Sequence, residues 1–463
     1  MERKNAWAAY AGDDGRVEAF AKAYCDFINN GKTERECVAY GEKLAKAHGF
    51  EDLNAVVRSG RKLEAGARVY ANWMGKSFML FVLGEKPLEE GMNILGAHID
   101  SPRIDVKQNP LYEDTDLAYL DTHYYGGIKK YQWVAIPLAL HGVIVRKTGE
   151  KVIINIGEDE NDPVFCISDL LVHLAQEQMT KNAKEVVEGE ALNLIVGGRP
   201  LEGEEKDAVK ANVLKLLADK YGVEEEDFLS AELEIVPAGK ARDMGFDRSM
   251  ILAYGHDDRV CAYPSMMAVL DYEGTPEYTL CCIVTDKEEI GSVGATGMAS
   301  HYLENTVAEL YACTADYCEL AVRRCLRNSR MLSSDVSAGY DPNFASAFEK
   351  KNSAFLGRGI CFNKFTGSRG KSGSNDANPE FMASLRKIMD DAGVAFQTAE
   401  LGRVDLGGGG TIAYLCAKYG MNVIDSGIAV LSMHAPYEII SKVDLYEGYR
   451  CYCAFLKGAK PVD

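Results

Sequence analysis

Two adjacent glutamates near the middle of the chain raise the first chemical question. Glu288 and Glu289 follow a mostly apolar, strand-like run in the segment TLCCIVTDKEEIGSVGATG, residues 279–297. Burying both carboxylates would be costly, because each disfavours ionisation of the other, and Lys287 is the only obvious basic neighbour in the sequence. A bound cation would relieve that cost. One glutamate could then bind the metal while the other takes a proton from a metal-bound water, as hydrolysis requires.

A histidine and an aspartate occur two residues apart in LGAHIDSPRID. Side chains alternate along a strand, so His98 and Asp100 would share one face. A carboxylate there could hydrogen-bond one imidazole nitrogen and fix the tautomer, while the other nitrogen binds a metal. A core histidine paired with a carboxylate would give the same pattern, so the pair is suggestive only.

Three further polar segments follow predicted strands or open predicted helices. They are GHDDRV, with Asp257 and Asp258, SSDVSAG, with Asp335, and LSMHAP, with His434. Each alone could be a helix cap or a satisfied surface group. Taken together, the candidates offer nitrogen and oxygen donors but no thiolate, which suits two zinc or similar ions sharing one carboxylate at a catalytic site. The full candidate ligand set is His98, Asp257, Glu289, Asp335 and His434.

The elements that must position these residues follow an alternating pattern. Helical periodicity covers roughly residues 17–46, and FMLFVLG and MNILGAHI indicate short buried strands. After GFDRSM, predicted helices such as DDRVCAYPSMMAVLDY alternate with predicted strands such as YTLCCIVT and NVIDSGIAVLSMH. This alternation predicts an α/β fold with a largely parallel sheet covered by helices, whose sites gather at strand ends.

The character of the sequence changes between these two regions. Strands WVAIPLALHGVIVRKTG and KVIINIG are followed by a predicted amphipathic helix around ISDLLVHLAQEQM and an acidic helical stretch, GEEKDAVKANVLKLLADKYGVEEEDF. We interpret this region as an inserted second domain. The predicted boundaries are 1–103 and 239–463 for the two parts of the first domain, and 104–238 for the insertion.

Composition excludes several classes of partner. The 463 residues carry a formal charge of −18, which argues against nucleic acid and gives no reason to expect attraction to anionic membranes. The charged N-terminal segment does not have the pattern of a signal peptide, and no run of about 18 apolar residues could span a bilayer. Thirteen cysteines without Cys-x-x-Cys pairs indicate free thiols, and therefore the reducing cytoplasm.

The segments GAHIDSP, DDR, DKEEIGSVGATG, SSDV and LSMHAP, in this order and spacing, resemble the aspartyl aminopeptidase family of dinuclear zinc exopeptidases, in particular its bacterial branch. The resemblance covers most of the chain. It implies that Asp257 bridges two metals, that His98 and Asp335 complete one site, and that Glu289 and His434 complete the other. Glu288 would be the general base, and Asp100 would orient His98.

The same resemblance implies a fold and an assembly. The family has an α/β/α catalytic domain with a central, mostly parallel sheet, interrupted by a smaller β-rich domain that serves as lid and dimer contact. Its dimers assemble into a tetrahedral dodecamer. Zn²⁺ is the expected metal at both positions, with Co²⁺ or Mn²⁺ as alternatives, and the peptide bond after the bridging aspartate is expected to be cis.

The chain departs from eukaryotic members where specificity is determined. Asp169 and Asp341 stand at the places of two histidines, so both changes add negative charge. Lys371 and Arg369, in NKFTGSRGKSGSND, could hold a substrate carboxylate, although a solvated loop would have the same composition. We therefore expect a broad or neutral preference for the N-terminal residue of the peptide substrate, rather than strict preference for Asp or Glu.

Three functional hypotheses follow. The first is a cytoplasmic dinuclear metalloaminopeptidase that acts on peptides. The second is a related amidohydrolase with the same metal site and another leaving group. The third is a non-enzymatic peptide-binding assembly protein descended from such an enzyme, which would require loss of a ligand or of the base. The sequence retains every proposed ligand and the proposed base.

Overall fold

The computed structural model describes residues 4–368 and 370–462 and divides into two compact units. The first unit comprises residues 4–100, 241–433 and 438–462, and the second comprises Ser101–Lys240 together with His434–Tyr437. Within the described ranges, no helix is both long enough and apolar enough to cross a membrane.

Ten α-helices occur in the described residues, nine of them in the first unit. Several are amphipathic, and the second begins at a capping box in which Thr33 and Glu36 satisfy each other's backbone amides. The helices are α1 (Gly15–Asn30), α2 (Glu34–Ala47), α3 (Leu53–Ser59), α4 (Ala208–Tyr221), α5 (His256–Leu270), α6 (Tyr302–Thr314), α7 (Glu319–Asn328), α8 (Pro379–Ala392), α9 (Ala413–Ala417) and α10 (Lys442–Gly458).

Twenty strands form the sheets of the two units in the described residues. They are β1 (Glu51–Asp52), β2 (Arg68–Trp73), β3 (Ser77–Val82), β4 (Met92–His98), β5 (Arg103–Asp114), β6 (Leu117–Tyr125), β7 (Leu138–Val145), β8 (Lys151–Ile156), β9 (Leu194–Gly197), β10 (Ala231–Pro237), β11 (Arg242–Met244), β12 (Met250–Ala253), β13 (Thr279–Thr285), β14 (Arg330–Ser334), β15 (Ser337–Ala338), β16 (Ile360–Asn363), β17 (Phe396–Thr398), β18 (Asn422–Gly427), β19 (Ala429–Val430) and β20 (Glu438–Ser441).

The first unit is built on a nine-stranded sheet in the order β1-β2-β3-β13-β4-β14-β18-β16-β17. Its centre, β13-β4-β14-β18, is parallel, and antiparallel pairs occur at β2-β3, β3-β13 and β18-β16. Every residue of β4 and β13 is buried, as expected for strands covered on both faces. The predicted mostly parallel α/β sheet is confirmed.

Helices cover both faces of this sheet. Alternate residues of β4 face opposite layers: Leu95 packs in a core with helices α1, α2, α5, α8 and α10, whereas Ile94 packs in a core with α3, α6, α7 and α9. The first unit is therefore a three-layer α/β/α structure. Pro264 lies inside α5, whose backbone departs from helical angles only at Asp257 and Asp258.

The second unit is dominated by β-structure. Six antiparallel strands pair in the order β8-β7-β10-β5-β6-β9, and α4 packs against β5, β6 and β9. The acidic stretch is helical, as predicted, and contains α4 followed by the start of a 3₁₀ helix at Glu225–Ser230. The helix predicted around ISDLLVHLAQEQM is wrong: residues 172–177 form turns, followed by a 3₁₀ turn at Gln178–Thr180. Its three leucines and its valine are exposed, Val172 at 74%, so they do not form the buried face of an amphipathic helix.

Candidate metal and catalytic site

Three neighbouring parallel strands end at the same edge of the large sheet. In register, Thr285 at the end of β13 pairs with His98 at the end of β4, and β14 runs alongside β4 up to Ser333. The carboxyl ends of parallel strands are where α/β proteins collect functional side chains. The sheet topology therefore brings together residues that lie nearly 240 positions apart in the chain.

Helix α5 delivers the paired aspartates to this edge. The peptide bond between Asp257 and Asp258 is cis, as expected from the resemblance. The Asp257 N–H donates to the Glu438 carboxylate at 3.0 Å, and the His98 N–H donates to Asp258 Oδ2 at 3.4 Å. Both aspartates are almost fully buried. The start of α5 is thereby tied to β20 and to the end of β4.

One imidazole lies at the centre of a cluster of carboxylates. His98 Nε2 is 3.2 Å from Asp257 Oδ1, 3.8 Å from Asp335 Oδ1 and 3.9 Å from Glu288 Oε2. Two groups of side chains each offer three possible ligand atoms within 4.8 Å of one another: His98 with Asp258 and Asp335, and His98 with Asp257 and Glu289. Buried nitrogen and oxygen donors without a thiolate fit a divalent zinc-like cation.

The electrostatics of the cluster also favour a cation. Burial, reinforced by the nearby Asp335 carboxylate, raises the pKa of Glu288 to about 8. Burial raises the pKa of Asp258 as well, again with Asp335 as the next cause. Although burial alone would lower it, hydrogen bonds to Asp100, Asp257 and Asp335 raise the pKa of His98 well above its usual value. Concentrated negative charge of this kind is stabilised by bound metal ions.

Asp100 contacts both the histidine and the glutamate pair. Its Oδ1 accepts the Glu288 N–H at 3.1 Å, and its Oδ2 accepts the Glu289 N–H at 3.2 Å. His98 Nδ1 lies 3.0 Å from the backbone carbonyl of Asp100 and 3.3 Å from Oδ1. These contacts position Nε2 toward the carboxylate cluster. The sequence suggested the link to His98, but the links to the two amides depend on the neighbouring strand and were missed.

The backbone around the glutamates forms a tight turn. Glu288–Ile290 is a single 3₁₀ turn, flanked by left-handed residues, with φ of 68° at Lys287 and 93° at Gly291. The 3₁₀ turn directs two consecutive carboxylates toward the strand edge although the strand itself has ended. Glycine tolerates this conformation at no cost, whereas Lys287 does so at some expense.

His434 groups with the second unit. Its Nδ1 faces the carbonyl of Gly127 at 2.9 Å, and its own backbone is left-handed, with φ of 65°. A histidine whose Nδ1–H donates to a carbonyl presents Nε2 for metal binding. The ligand role of His434 stays a prediction from the resemblance.

The candidate specificity lysine lies at a loop cavity of about 330 Å³, lined in part by Phe365, Lys371 and Arg403. Lys371 Nζ contacts Asp376 Oδ2 at 2.8 Å and lies 3.8 Å from the Phe365 ring centre. Lys364 contacts the other oxygen of Asp376 at 2.7 Å. Asp376 was missed because its pairing with two lysines depends on the loop fold. Arg369 lies outside the described residues.

The two aspartates expected near the specificity region have local backbone partners. Asp341 accepts the Asn343 N–H at 2.8 Å and caps a 3₁₀ helix at Pro342–Ala347. In the second unit, Asp169 accepts the Leu170 N–H at 2.8 Å and the Gln178 amide at 3.1 Å. These contacts give both residues a local role in stabilising loops. Their roles toward substrate stay predictions.

Sequence comparison identifies relatives along the whole chain. A family model described as aminopeptidase I zinc metalloprotease, peptidase family M18, matches residues 27–456. A probable M18 family aminopeptidase 1 of Clostridium acetobutylicum is 58% identical over 459 residues, which cover 98% of each chain.

Structural comparison agrees with the sequence relationship. The crystal structure of an M18-family aminopeptidase from Thermotoga maritima superposes with a TM-score of 0.94 at 44% identity, covering 99% of this chain and 100% of the other. The mApe1 dodecamer of S. cerevisiae has the same fold, with a TM-score of 0.74 at 21% identity over 94% of this chain and 96% of the other. The chain therefore belongs to the M18 family of aminopeptidases, which are zinc metalloproteases.

Proposed function

We propose that this chain removes N-terminal residues from peptides by hydrolysis at a two-metal centre, with Glu288 as the general base. The observation that carries the proposal is the convergence of one imidazole and three carboxylates, with His98 Nε2 within 3.9 Å of Asp257, Asp335 and Glu288. Family membership supports the zinc-dependent reaction class. Family membership does not give the number of ions or the role of each residue, which we propose in addition.

The ligand assignment is the one that the resemblance implies, and the closeness of His98 to Asp257 and Asp335 supports it. Asp257 would bridge two cations, His98 and Asp335 would complete one position, and Glu289 and His434 would complete the other. Zn²⁺ fits these donors, and Co²⁺ or Mn²⁺ would fit them also. When bound, the two cations would act as Lewis acids on the peptide carbonyl and lower the pKa of the attacking water.

The chain's own residues handle the protons and the positioning. Glu288 would take a proton from the attacking water and deliver it to the departing amine, so that its carboxylate is restored after each turnover. Asp100 would hold the turn that presents Glu288 through the two amide contacts and keep His98 in a ligating orientation. Burial of Glu288 favours its protonated form, and nearby cations would favour the ionised form that accepts the proton.

The N-terminal preference is proposed to be broad or neutral. The Lys371 ammonium is engaged by Asp376 and the Phe365 ring, so a substrate carboxylate would have to compete with an existing ion pair. If this loop is instead an ordinary solvated surface loop, a broad or neutral N-terminal preference is expected as well.

Comparing kcat/KM for Asp-, Glu-, Leu- and Ala-anilides tests the substrate class and the preference together. We expect turnover of the neutral substrates and an advantage of Asp or Glu in kcat/KM below roughly tenfold, which corresponds to about 1.4 kcal/mol. Lys371→Ala should change the ratios of kcat/KM between acidic and neutral substrates little. Lys387→Ala, on an exposed part of α8, is the matched control. An acidic preference that Lys371→Ala abolishes would contradict the proposed specificity, and failure to cleave any anilide would contradict the proposed activity.

The proposal also covers the oligomeric state of the chain and its location in the cell. We propose a dodecamer, which the dodecameric state named for the S. cerevisiae relative supports, and we take the tetrahedral arrangement of its dimers from the resemblance. A cytoplasmic location is supported by the thirteen cysteines, all of which are free thiols.

A further inference from the structure

The turn between β2 and β3 contacts the segment that carries the two glutamates. Trp73 Nε1 donates to the Ala295 carbonyl at 2.8 Å, and Ser77 Oγ donates to the Thr296 carbonyl at 2.5 Å. The Asp286 N–H in turn lies 3.3 Å from Ser77 Oγ. Contacts therefore join the turn to both ends of the segment, before and after the glutamates.

A buried lysine from the same turn also contacts this segment. Lys76 is 6% exposed, and its Nζ lies 3.5 Å from Asp286 Oδ2 and 2.8 Å from Glu34 Oε1 at the start of α2. Thr296 Oγ1 donates to the same Asp286 oxygen at 2.6 Å. The partly exposed Lys287 Nζ lies 3.3 Å from the same Asp286 oxygen, so two cations hold this buried carboxylate, and Lys76 is the buried one.

Asp286 connects the ion pair with Lys76 to the turn that carries Glu288 and Glu289. It directly follows β13 and precedes Lys287, the left-handed residue that reverses the chain into the 3₁₀ turn. Asp100 holds the amides of Glu288 and Glu289 on the other side of the turn. The 3₁₀ turn is thus anchored at its start by Asp286 and at its amides by Asp100.

We propose that Lys76 is a positioning residue for the Glu288–Glu289 turn, acting through its ion pair with Asp286. The inference rests on the proposed roles of the two glutamates. A general base must be held within a fraction of an ångström of its productive position, and supporting side chains outside the ligand set provide that rigidity. Loss of Lys76 would misplace Glu288 and leave the loop that carries Lys371 unchanged.

The first test compares Lys76→Met with Lys76→Arg in metal-replete enzyme. We expect Lys76→Met to lower kcat about 10- to 100-fold with KM unchanged, and Lys76→Arg to recover part of the loss because it restores the cation. Lys442→Met is the matched control. Lys442 is also buried and paired with two carboxylates, Glu18 at 2.7 Å and Asp243 at 2.9 Å, but neither belongs to the glutamate turn.

The control separates positioning from general destabilisation. Lys442→Met is expected to lower Tm as Lys76→Met does, yet to keep the kcat of the parent. Parental kcat in Lys76→Met, or an equal loss in both variants, would overturn the inference. An inactive parent would instead contradict the proposed function, so the two failures are distinguishable.

A second variant keeps the test decisive if Lys76→Met does not fold. Asp286→Asn preserves shape and an oxygen that can accept from Thr296 but removes the charge that pairs with Lys76 and with Lys287. We expect a loss of kcat here too, and the double variant should lose less than the product of the two single losses, because both changes remove the Lys76–Asp286 ion pair. Parental kcat in Asp286→Asn would overturn the inference by itself.

Discussion

Glu288 and Glu289 are adjacent in the chain, yet the structure gives them a shared support. Asp100 accepts both backbone amides while its own backbone carbonyl lies within 3.0 Å of His98 Nδ1. The chain at the end of β4 therefore aligns the candidate ligand His98 with the candidate base Glu288 and with Glu289, a second candidate ligand. Adjacent carboxylates can then take different roles because one backbone turn sends their side chains to different positions.

Replacing Glu289 tests the division of roles between the two glutamates. Glu289→Ala should lower metal content from two ions per chain toward one, since it removes a candidate ligand from one position only. Glu288→Ala is the matched neighbour and should keep both ions. Metal analysis after dialysis against metal-free buffer measures the difference. Equal occupancy in both variants and in the parent would contradict the assignment.

The elements that carry the site were predictable where their sequence patterns were strong. His98 and Asp335 follow apolar runs that form β4 and β14, so strand ends identified them as candidates. Asp258 joins a candidate ligand group, but next to Asp257 at a predicted helix start it was indistinguishable from a cap. Asp376 carried no signal, because its pairing with Lys371 forms only when the loop folds.

The incorrect helix prediction has a physical explanation at the same scale. The residues around Leu170 and Val172 have helical spacing, but in the second unit they are largely exposed. Periodicity predicts a helix only where a surface exists to bury the apolar face. The strand and helix boundaries of the first unit, by contrast, follow from packing on both faces of one sheet.

A buried aspartate on β18 gives a pH-dependent prediction for the sheet. Burial raises the pKa of Asp425 to about 7, although Thr411 donates to it. Between about pH 4 and pH 7 the folded chain therefore holds a proton that the unfolded chain has released. The free energy of unfolding then falls as the pH rises from about 4 to 7. Asp425→Asn should therefore gain Tm over the parent progressively across this range.

The control for that comparison is an exposed aspartate. Asp390→Asn makes the same chemical change on the surface of α8 and should shift Tm equally at every pH. Thermal unfolding of the three proteins at about pH 5, 6, 7 and 8 provides the comparison. A Tm difference between Asp425→Asn and the parent that stays constant across this range would show that Asp425 is ionised throughout.

At the scale of the whole molecule, the proposed dodecamer predicts a mass and a dependence on exposed apolar surface. Twelve times 50.8 kDa gives about 610 kDa by light scattering. The second unit exposes Leu171 at 54% and Val172 at 74%, and apolar surface of this kind marks interaction sites. Val172→Glu should reduce the mass, whereas Lys184→Glu, an exposed polar site in the same unit, should not. A monomeric parent would contradict the assembly.

The central claim, that a two-metal centre hydrolyses peptides with Glu288 as its base, is tested most directly by Glu288→Gln. The amide keeps the size of the side chain but cannot accept the proton. Measured together, metal content and kcat on a neutral aminoacyl-anilide should show two ions per chain and a loss of about 10²–10⁴-fold in kcat. Near-parental kcat in a fully metallated Glu288→Gln variant would contradict the claim.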